Sequence, residues 1–297
     1  MMHIHLDVKN ARPGLRPRQL ASTLCAMSFI AWFRIARRIP VALVLVLGGL
    51  FTVMFVFPRM GFPARDRTVA RWSRWLLRAC GVRLAEAATP GATPLSQLHG
   101  GTLIVANHIS WLDIFLMLAM TSAHFVAKIE IANWPMIGRL VIGAGTLFIE
   151  RGRRHAVHQL NERILDLLTG GRRIAVFPEG TTSDGRRVLA FHGNLLEPAL
   201  RSNAAIIPVA IRYTDLDGHY DASIDFTDTV SLATSLKKVL GARGFIATLH
   251  PLPAITAATR QEAARLARAA IAVRLTLPMD DTASETLKRA RQASREA

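Results

Sequence analysis

The chain has 297 residues, 51% of them apolar, and its 37 basic side chains outnumber 21 acidic ones to give a net charge of +16. That composition excludes a disordered, collagenous or coiled-coil protein. Two cysteines, Cys25 and Cys80, exclude a disulfide framework and a cysteine-rich zinc module, and read as unpaired thiols in a reducing compartment.

The charge is uneven. Residues 1–80 carry 13 basic and 2 acidic side chains, and the remaining 217 carry 24 and 19. Arginines beside apolar runs fit anionic membrane lipids. Nucleic acid is not expected, because neither aromatic platforms nor a known reading module is visible. Residues 39–58, IPVALVLVLGGLFTVMFVFP, contain no charge. As a helix they would extend about 30 Å, the thickness of one hydrocarbon core. Arg34, Arg37 and Arg38 precede this run and Arg59, Arg65 and Arg67 follow it, so charge asymmetry gives little orientation. The long basic leader lacks the cleavage pattern of a secretory signal. Residues 64–80 place Val69, Trp72, Leu76 and Cys80 near one helical face with arginines on the others, the pattern of an interfacial helix. The two helices could form a hairpin in one leaflet, or the first could span the bilayer.

From residue 81 the pattern changes. Residues 85–100 read as a loop rich in Ala, Thr, Pro and Gly. Strands are predicted at 102–107, 145–150, 173–177, 205–213 and 244–249. Helices are predicted at 110–120, 153–169, 193–202, 229–240 and 259–276. This alternation predicts an α/β domain, with a mostly parallel sheet flanked by helices and an N-terminal membrane-anchoring helical segment ahead of it. The expected organisation is an anchor over 1–80, a catalytic domain over 81–278 and a polar tail over 279–297.

Four short stretches lie at strand ends, where α/β sheets place their ligands. In Asn107-His108-Ile109-Ser110-Trp111-Leu112-Asp113, the histidine and the aspartate are five residues apart. They cannot share a helical face. They can meet if His108 lies in a loop and Asp113 in the first turn of the following helix. Asp113 could then take a hydrogen bond from one imidazole nitrogen and leave the other as a general base. Ser110 and Asp113 also fit a plain helix-capping pattern. The second stretch, Gly145-Thr146-Leu147-Phe148-Ile149-Glu150-Arg151, ends a strand in a cation suited to phosphate or carboxylate. The third, Phe177-Pro178-Glu179-Gly180-Thr181-Thr182-Ser183-Asp184-Gly185, opens a buried strand into small hydrogen-bonding residues. The fourth, Ile207-Pro208-Val209, suggests an edge strand or bulge.

In combination and order these motifs resemble the glycerolipid acyltransferases, the lysophosphatidic acid acyltransferases and their relatives, over roughly residues 100–215. The preceding helices are similar to the membrane anchor of bacterial members. The resemblance implies transfer of a fatty acyl group from a thioester carrier to a lysolipid hydroxyl, at the cell inner membrane, with the catalytic domain on the cytoplasmic side. It implies His108 as general base and Asp113 as its orienting partner. It implies Arg151, Glu179, Gly180 and Thr181 as acceptor-binding residues, with Thr182 completing that set. A metal or cofactor is not implied. The co-substrate would be acyl-carrier protein or acyl-CoA. An acidic carrier protein could dock on a basic face formed by Arg151, Arg153, Arg154, Arg163, Arg172, Arg173, Arg186 and Arg187.

The chain departs from a common pattern after Glu-Gly-Thr, where many phosphatidate-forming members carry arginine and this chain carries Thr182. That is more similar to the branch acylating lyso-ornithine lipids, where Arg151 could meet a carboxylate and Asp184 an ammonium. A hydrolase using the same His-Asp pair on water, or a non-catalytic membrane scaffold, are the competing expectations.

Overall fold

The structure, a computed structural model, describes residues 17–149, 154–227 and 230–280. Its N-terminal helix α1 (Pro17–Phe51) is much longer than the helix expected over 39–58. The arginines at 34, 37 and 38 do not end it. Past Phe51 it continues through a π-helical turn (Thr52–Val56) and a 3-10 turn (Phe57–Arg59). Helix α2 (Phe62–Ala79) then folds back, and the Trp72 indole N–H donates to the Leu45 carbonyl at 2.8 Å.

The apolar stripe of α2 differs in role from the interfacial one expected. Ala70, Leu76 and Leu77 are buried, and Val69 and Trp72 pack against the same core. The stripe is the ordinary core-facing side of an amphipathic helix. Phe62 and Trp75 remain outside.

Strand β1 (Val82–Glu86) opens the sheet. There follow β2 (Thr102–Ala106), α3 (Leu112–Thr121), β3 (His124–Lys128), α4 (Ile129–Ala132), α5 (Ile137–Gly143) and β4 (Leu147–Ile149). Next come α6 (Arg154–Thr169), β5 (Arg173–Val176), β6 (Val188–Leu189), α7 (Glu197–Arg201) and β7 (Ala205–Asp215). The last are α8 (Leu232–Gly241), β8 (Phe245–Pro251), α9 (Arg260–Leu275) and β9 (Met279–Asp280). Seven strands form one sheet in the order β1-β8-β7-β2-β5-β3-β4. Its pairings are parallel except β7 with β8. The expected α/β class and mostly parallel sheet are what the chain forms.

Strand β2 is buried along its whole length, which explains its unbroken apolar run: helices cover both faces of a parallel sheet. On one face, Leu112, Leu116 and Met117 of α3 join Leu76, Leu77, Val239 and Leu240 of α2 and α8. On the other, Leu160, Ile164 and Leu168 of α6 meet Ala263, Ala264 and Ala267 of α9.

Pro208 is not at an edge, and the pairing slips by one residue beside it, with Leu252 opposite Pro208 and Ile255 opposite Ile206. Strand β7 pairs with β2 on one side and β8 on the other. The Pro208 carbonyl accepts the N–H of Leu252 at 2.9 Å, so its nitrogen faces the same side, just past the end of the β8 ladder. The missing donor forfeits only the return bond of this last pair and leaves the β7–β8 ladder from Val209 onward intact. Met279 and Asp280 pair with β6, so the folded domain extends past the boundary expected at 278.

Candidate active site

Strand β2 delivers its last residue, Ala106, to the carboxyl edge of the sheet. Asn107 continues the pairing with its side chain. Its Nδ2 donates to the Ile211 carbonyl at 3.0 Å and its Oδ1 accepts the Ile211 N–H at 2.8 Å. That clamp fixes the chain where His108 leaves the sheet. Residues 108–111 form a loop and Asp113 enters in the first turn of α3, the arrangement the five-residue spacing requires.

Asp113 is fully buried. Its Oδ2 lies 2.8 Å from His108 Nδ1 and accepts the N–H groups of Ile109 and Ser110 at 2.6 and 2.9 Å. Its Oδ1 accepts the Tyr213 hydroxyl at 2.6 Å. A buried carboxylate needs such saturation, and the amino end of α3 adds the favourable sign of the helix dipole. One side chain therefore makes the contact with His108 that the spacing allows and also accepts the Ser110 N–H, which is half of the capping pattern; the Ser110 hydroxyl does not complete it. Because Asp113 is an acceptor, neutral His108 carries its proton on Nδ1 and a lone pair on Nε2. Nε2 has no hydrogen-bond partner among the described residues. The His108 side chain retains 17% of its exposure. Its ring stacks on Phe177 with centroids 4.1 Å apart and planes 7° apart, and Phe125 lies behind Phe177 at 5.7 Å.

The third motif wraps the peptide groups of His108. The Glu179 Oε1 accepts the His108 N–H at 3.0 Å. The Ser183 N–H and hydroxyl donate to the His108 carbonyl at 2.8 and 3.2 Å. Gly180 makes the turn possible with a φ of 71°, in the left-handed region open to glycine. Glu179 is buried, so the structure turns this expected acceptor ligand inward. Burial first and nearby Asp113 second push its carboxyl up to about 8, against the opposing N–H groups of His108 and Leu189. Gly180 and Thr181 are half-buried on the same turn. The Thr182 hydroxyl donates to the Phe226 carbonyl, and the Phe226 N–H donates to the Ile109 carbonyl at 3.2 Å.

Tyr213 was not among the expected site residues. It stands 100 positions from Asp113 in sequence, but it carried a signal. Ile207, Val209, Ile211 and Tyr213 share the inward face of β7, and a buried tyrosine needs a partner for its hydroxyl. Burial, then Asp113, holds that hydroxyl well above its usual range. Phe177 was noted only as the start of a motif. A cavity of about 360 Å³ adjoins this region, its walls including Ile109, Gly185, Arg186, Tyr213 and Tyr220.

Arg151, like Arg153, lies outside the described residues. Strand β4, which leads to it, runs parallel at the sheet edge beside β3. Among the described residues, the arginines expected to form one basic face are divided between the two ends of the sheet. Arg172 and Arg173 lie at the amino end of β5. Arg172 pairs with Asp66 at 3.0 Å and bonds His124, and Arg173 donates to the Leu98 carbonyl at 3.1 Å. Arg186 and Arg187 lie past the opposite end. Arg186 sits 4.4 Å over the Tyr220 ring, and Arg187 pairs with Asp280 at 2.8 Å and Asp184 at 3.3 Å. Burial would raise the Asp184 carboxyl, but the Arg186 N–H and the Arg187 guanidinium hold it below its usual range. A cationic headgroup would have to share this carboxylate with Arg187.

Comparison with known proteins identifies the family. A family profile described as Acyltransferase matches residues 60–212. The lyso-ornithine lipid O-acyltransferase of Pseudomonas aeruginosa is 38% identical over 239 residues, covering 78% of this chain and 89% of the relative. The 1-acyl-sn-glycerol-3-phosphate acyltransferase of Neisseria meningitidis is 35% identical over 177 residues, covering 60% and 67%. The crystal structure of the 1-acyl-sn-glycerophosphate acyltransferase PlsC from Thermotoga maritima superimposes with a TM-score of 0.62 at 20% identity, over 84% of this chain and 96% of that one; it shows the shared fold. With a matching profile across half its length and a near full-length relative at this identity, the chain belongs to the Acyltransferase family.

Proposed function

We propose that the protein is a membrane-associated lysolipid O-acyltransferase in which His108 is the general base. The observation that carries this reading is the 2.8 Å contact from His108 Nδ1 to buried Asp113, with Nε2 left unengaged among the described residues. The acceptor hydroxyl gives its proton to Nε2 as its oxygen attacks the thioester carbonyl carbon. The carbon–sulfur bond then breaks, and the leaving thiolate takes the proton back from Nε2. Acceptor and thioester thus become ester and thiol, with no acyl-enzyme. Asp113 fixes the tautomer and stabilises the transient imidazolium. The donor is a fatty acyl thioester of acyl-carrier protein or coenzyme A.

Glu179 and Tyr213 act through His108 and Asp113 rather than on substrate. Glu179 holds the His108 peptide, and at neutral pH its carboxyl is mostly protonated. Glu179→Gln mimics that neutral form and should keep most of the activity, whereas Glu179→Ala should lose it with the loop. An inactive Gln variant would mean that a charged carboxylate binds the acceptor. Stability supplies a second readout. With the folded group titrating near 8 and the unfolded one near 4.5, the unfolded chain binds fewer protons between those limits. Stability should therefore fall as pH rises from about 4.5 to about 8, and Glu179→Gln should flatten that fall in thermal melts.

Tyr213→Phe removes one of the four hydrogen bonds to Asp113. A hydrogen bond to a charged group contributes about 1.5–3 kcal/mol. We expect kcat to drop by roughly tenfold, KM to hold, and the pH–rate profile to shift. A drop confined to stability would leave Tyr213 a core residue.

The acceptor that this reading favours is lyso-ornithine lipid, with lysophosphatidate second. Thr182 supplies a hydroxyl engaged with Phe226 where a phosphate site would gain from a cation. The near full-length relative from Pseudomonas aeruginosa bears the lyso-ornithine name. Asp184 is not assigned to the headgroup, because Arg187 already holds it. Competing the two lysolipids for one acyl thioester, with products weighed by mass spectrometry, tests the choice. Phosphatidate as the main product would overturn it.

Membrane association has its own support. Residues 29–59 form one helix-length apolar stretch with only 6% of its most apolar part buried. Arg34 donates to the Gly241 carbonyl at 3.2 Å, and Arg38 to those of Leu240 and Ala242 at 2.9 and 2.8 Å. These arginines cap the exposed carbonyls at the end of α8. Farther along, Gly49 admits Trp72 and Leu140, and Val53 touches Gly143. The two attachments are about 20 Å apart at a helical rise of 1.5 Å per residue. A helix held at both places by one folded domain fits a position along a single leaflet. A perpendicular span would draw that domain into the bilayer.

A further inference from the structure

Residues 129–143 were not part of any expected motif. They form α4, a turn and α5, and they hold a dense set of exposed apolar side chains: Ile129, Trp134, Met136, Ile137 and Ile142, the last 54% exposed. Fifteen residues here include only two charges, Glu130 and Arg139. Leaving such a patch in water is unfavourable, and its size and clustering mark an interaction surface.

The patch is not isolated. Helix α5 packs on the end of α1 and the π-helical turn after it, where Leu140 meets Gly49, Gly143 meets Val53 and Arg139 lies 4.0 Å from the Met54 sulfur. Beside these contacts Phe51, Met54, Phe55 and Val56 are themselves exposed. One apolar surface therefore runs from α1 onto α4–α5. Cations border it: Arg59 donates to the Phe55 carbonyl of the π-helical turn, and Arg65 lies over the Phe57 and Phe62 rings. An apolar surface with a cationic rim is complementary to acyl chains beneath anionic headgroups. The segment also starts at the end of β3, whose Phe125 packs on Phe177, the ring that carries His108.

We propose that residues 129–143 are a second membrane-inserted element, whose partner is the acyl region of an anionic leaflet, and that it brings the catalytic end of the sheet onto the lipid surface. A lysolipid could then present its hydroxyl to His108 with its chain still among lipids. This rests on the membrane reading of α1 given above.

The test uses full-length protein with Cys25→Ser and the buried Cys80 left in place. A fluorophore is attached at Val44→Cys on α1, Ile137→Cys on α5 or Gln261→Cys on α9, which covers the other face of the sheet. Vesicles of mixed zwitterionic and anionic phospholipid carry brominated acyl chains as quencher. The expected result is quenching at 44 and 137 and none at 261. Quenching at 44 without 137 overturns the proposal and leaves the α1 reading standing. Quenching at neither overturns both. Ile142→Cys replaces position 137 if that variant does not fold.

Activity gives a separate readout. Ile137→Asp with Ile142→Asp should lower transfer to vesicle-embedded lysolipid by at least about tenfold. Transfer to a monomeric short-chain lysolipid should be unchanged. Equal losses on both substrates would contradict a membrane role.

Discussion

A His108→Ala variant is expected to lose acyl transfer by about 10²–10⁴-fold, the span contributed by a positioned general base. The loss should fall on kcat, because the ring has its Nε2 aimed at no protein group among the described residues. Stability should change little by comparison. The ring is partly exposed and its main contact is the stack on Phe177, so the melting temperature should move by only a few degrees. A variant that unfolds would not count as support. Transfer within tenfold of wild type would remove His108 from the mechanism.

The second large effect is expected at Asp113, and two substitutions divide it. Asp113→Ala strands the Tyr213 hydroxyl and the N–H groups of Ile109 and Ser110 in the interior. Breaking a buried network of that kind costs about 3–5 kcal/mol, so this variant should be both inactive and visibly destabilised. Asp113→Asn keeps the shape. Its oxygen can serve the three donors that now meet Oδ2, and the Tyr213 hydroxyl can turn to accept from the amide. What it removes is the negative charge opposite the transient imidazolium. At about 4 Å and an effective dielectric of about 20 that charge is worth about 4 kcal/mol, so a folded protein slower by on the order of 10²–10³-fold is expected. Thermal melts beside kcat for both variants separate the scaffold role from the electrostatic one. An Asn variant with wild-type kcat would show that the charge does not act in catalysis.

Much of this was legible in the sequence, for identifiable reasons. Strands β2, β5 and β7 lie in the sheet interior and must be apolar on both faces, so Leu103–Val105 and Ile206–Ile211 announce themselves. The same logic fails for β1, whose Arg83 and Glu86 sit on an edge strand and look like loop. It fails for β3, where His124 and Lys128 interrupt the apolar pattern. Helix α2 misled for a different reason. An apolar stripe with flanking arginines is the same pattern whether it faces lipid or a protein core, and only the position of α3 decides.

The site divides along the same line. His108 and Asp113 are local, so their meeting follows from a strand, a loop and one helical turn. Tyr213, the Asn107 clamp on Ile211 and the packing of Phe177 depend on which strands are neighbours, which spacing along the chain does not encode. Glu179 was identified as a site residue by its place after a strand. Its inward turn onto the His108 peptide depends on the left-handed turn at Gly180 and on burial.

The central claim is direct transfer from thioester to lysolipid through His108. Its most direct test follows free thiol and acylated lipid together, using purified protein, an acyl thioester and a lysolipid, with the His108→Ala variant alongside. One thiol released per lipid acylated, with both dependent on acceptor and on His108, is the predicted result. Thiol release at the same rate without acceptor, or undiminished acylated lipid from the variant, would contradict it.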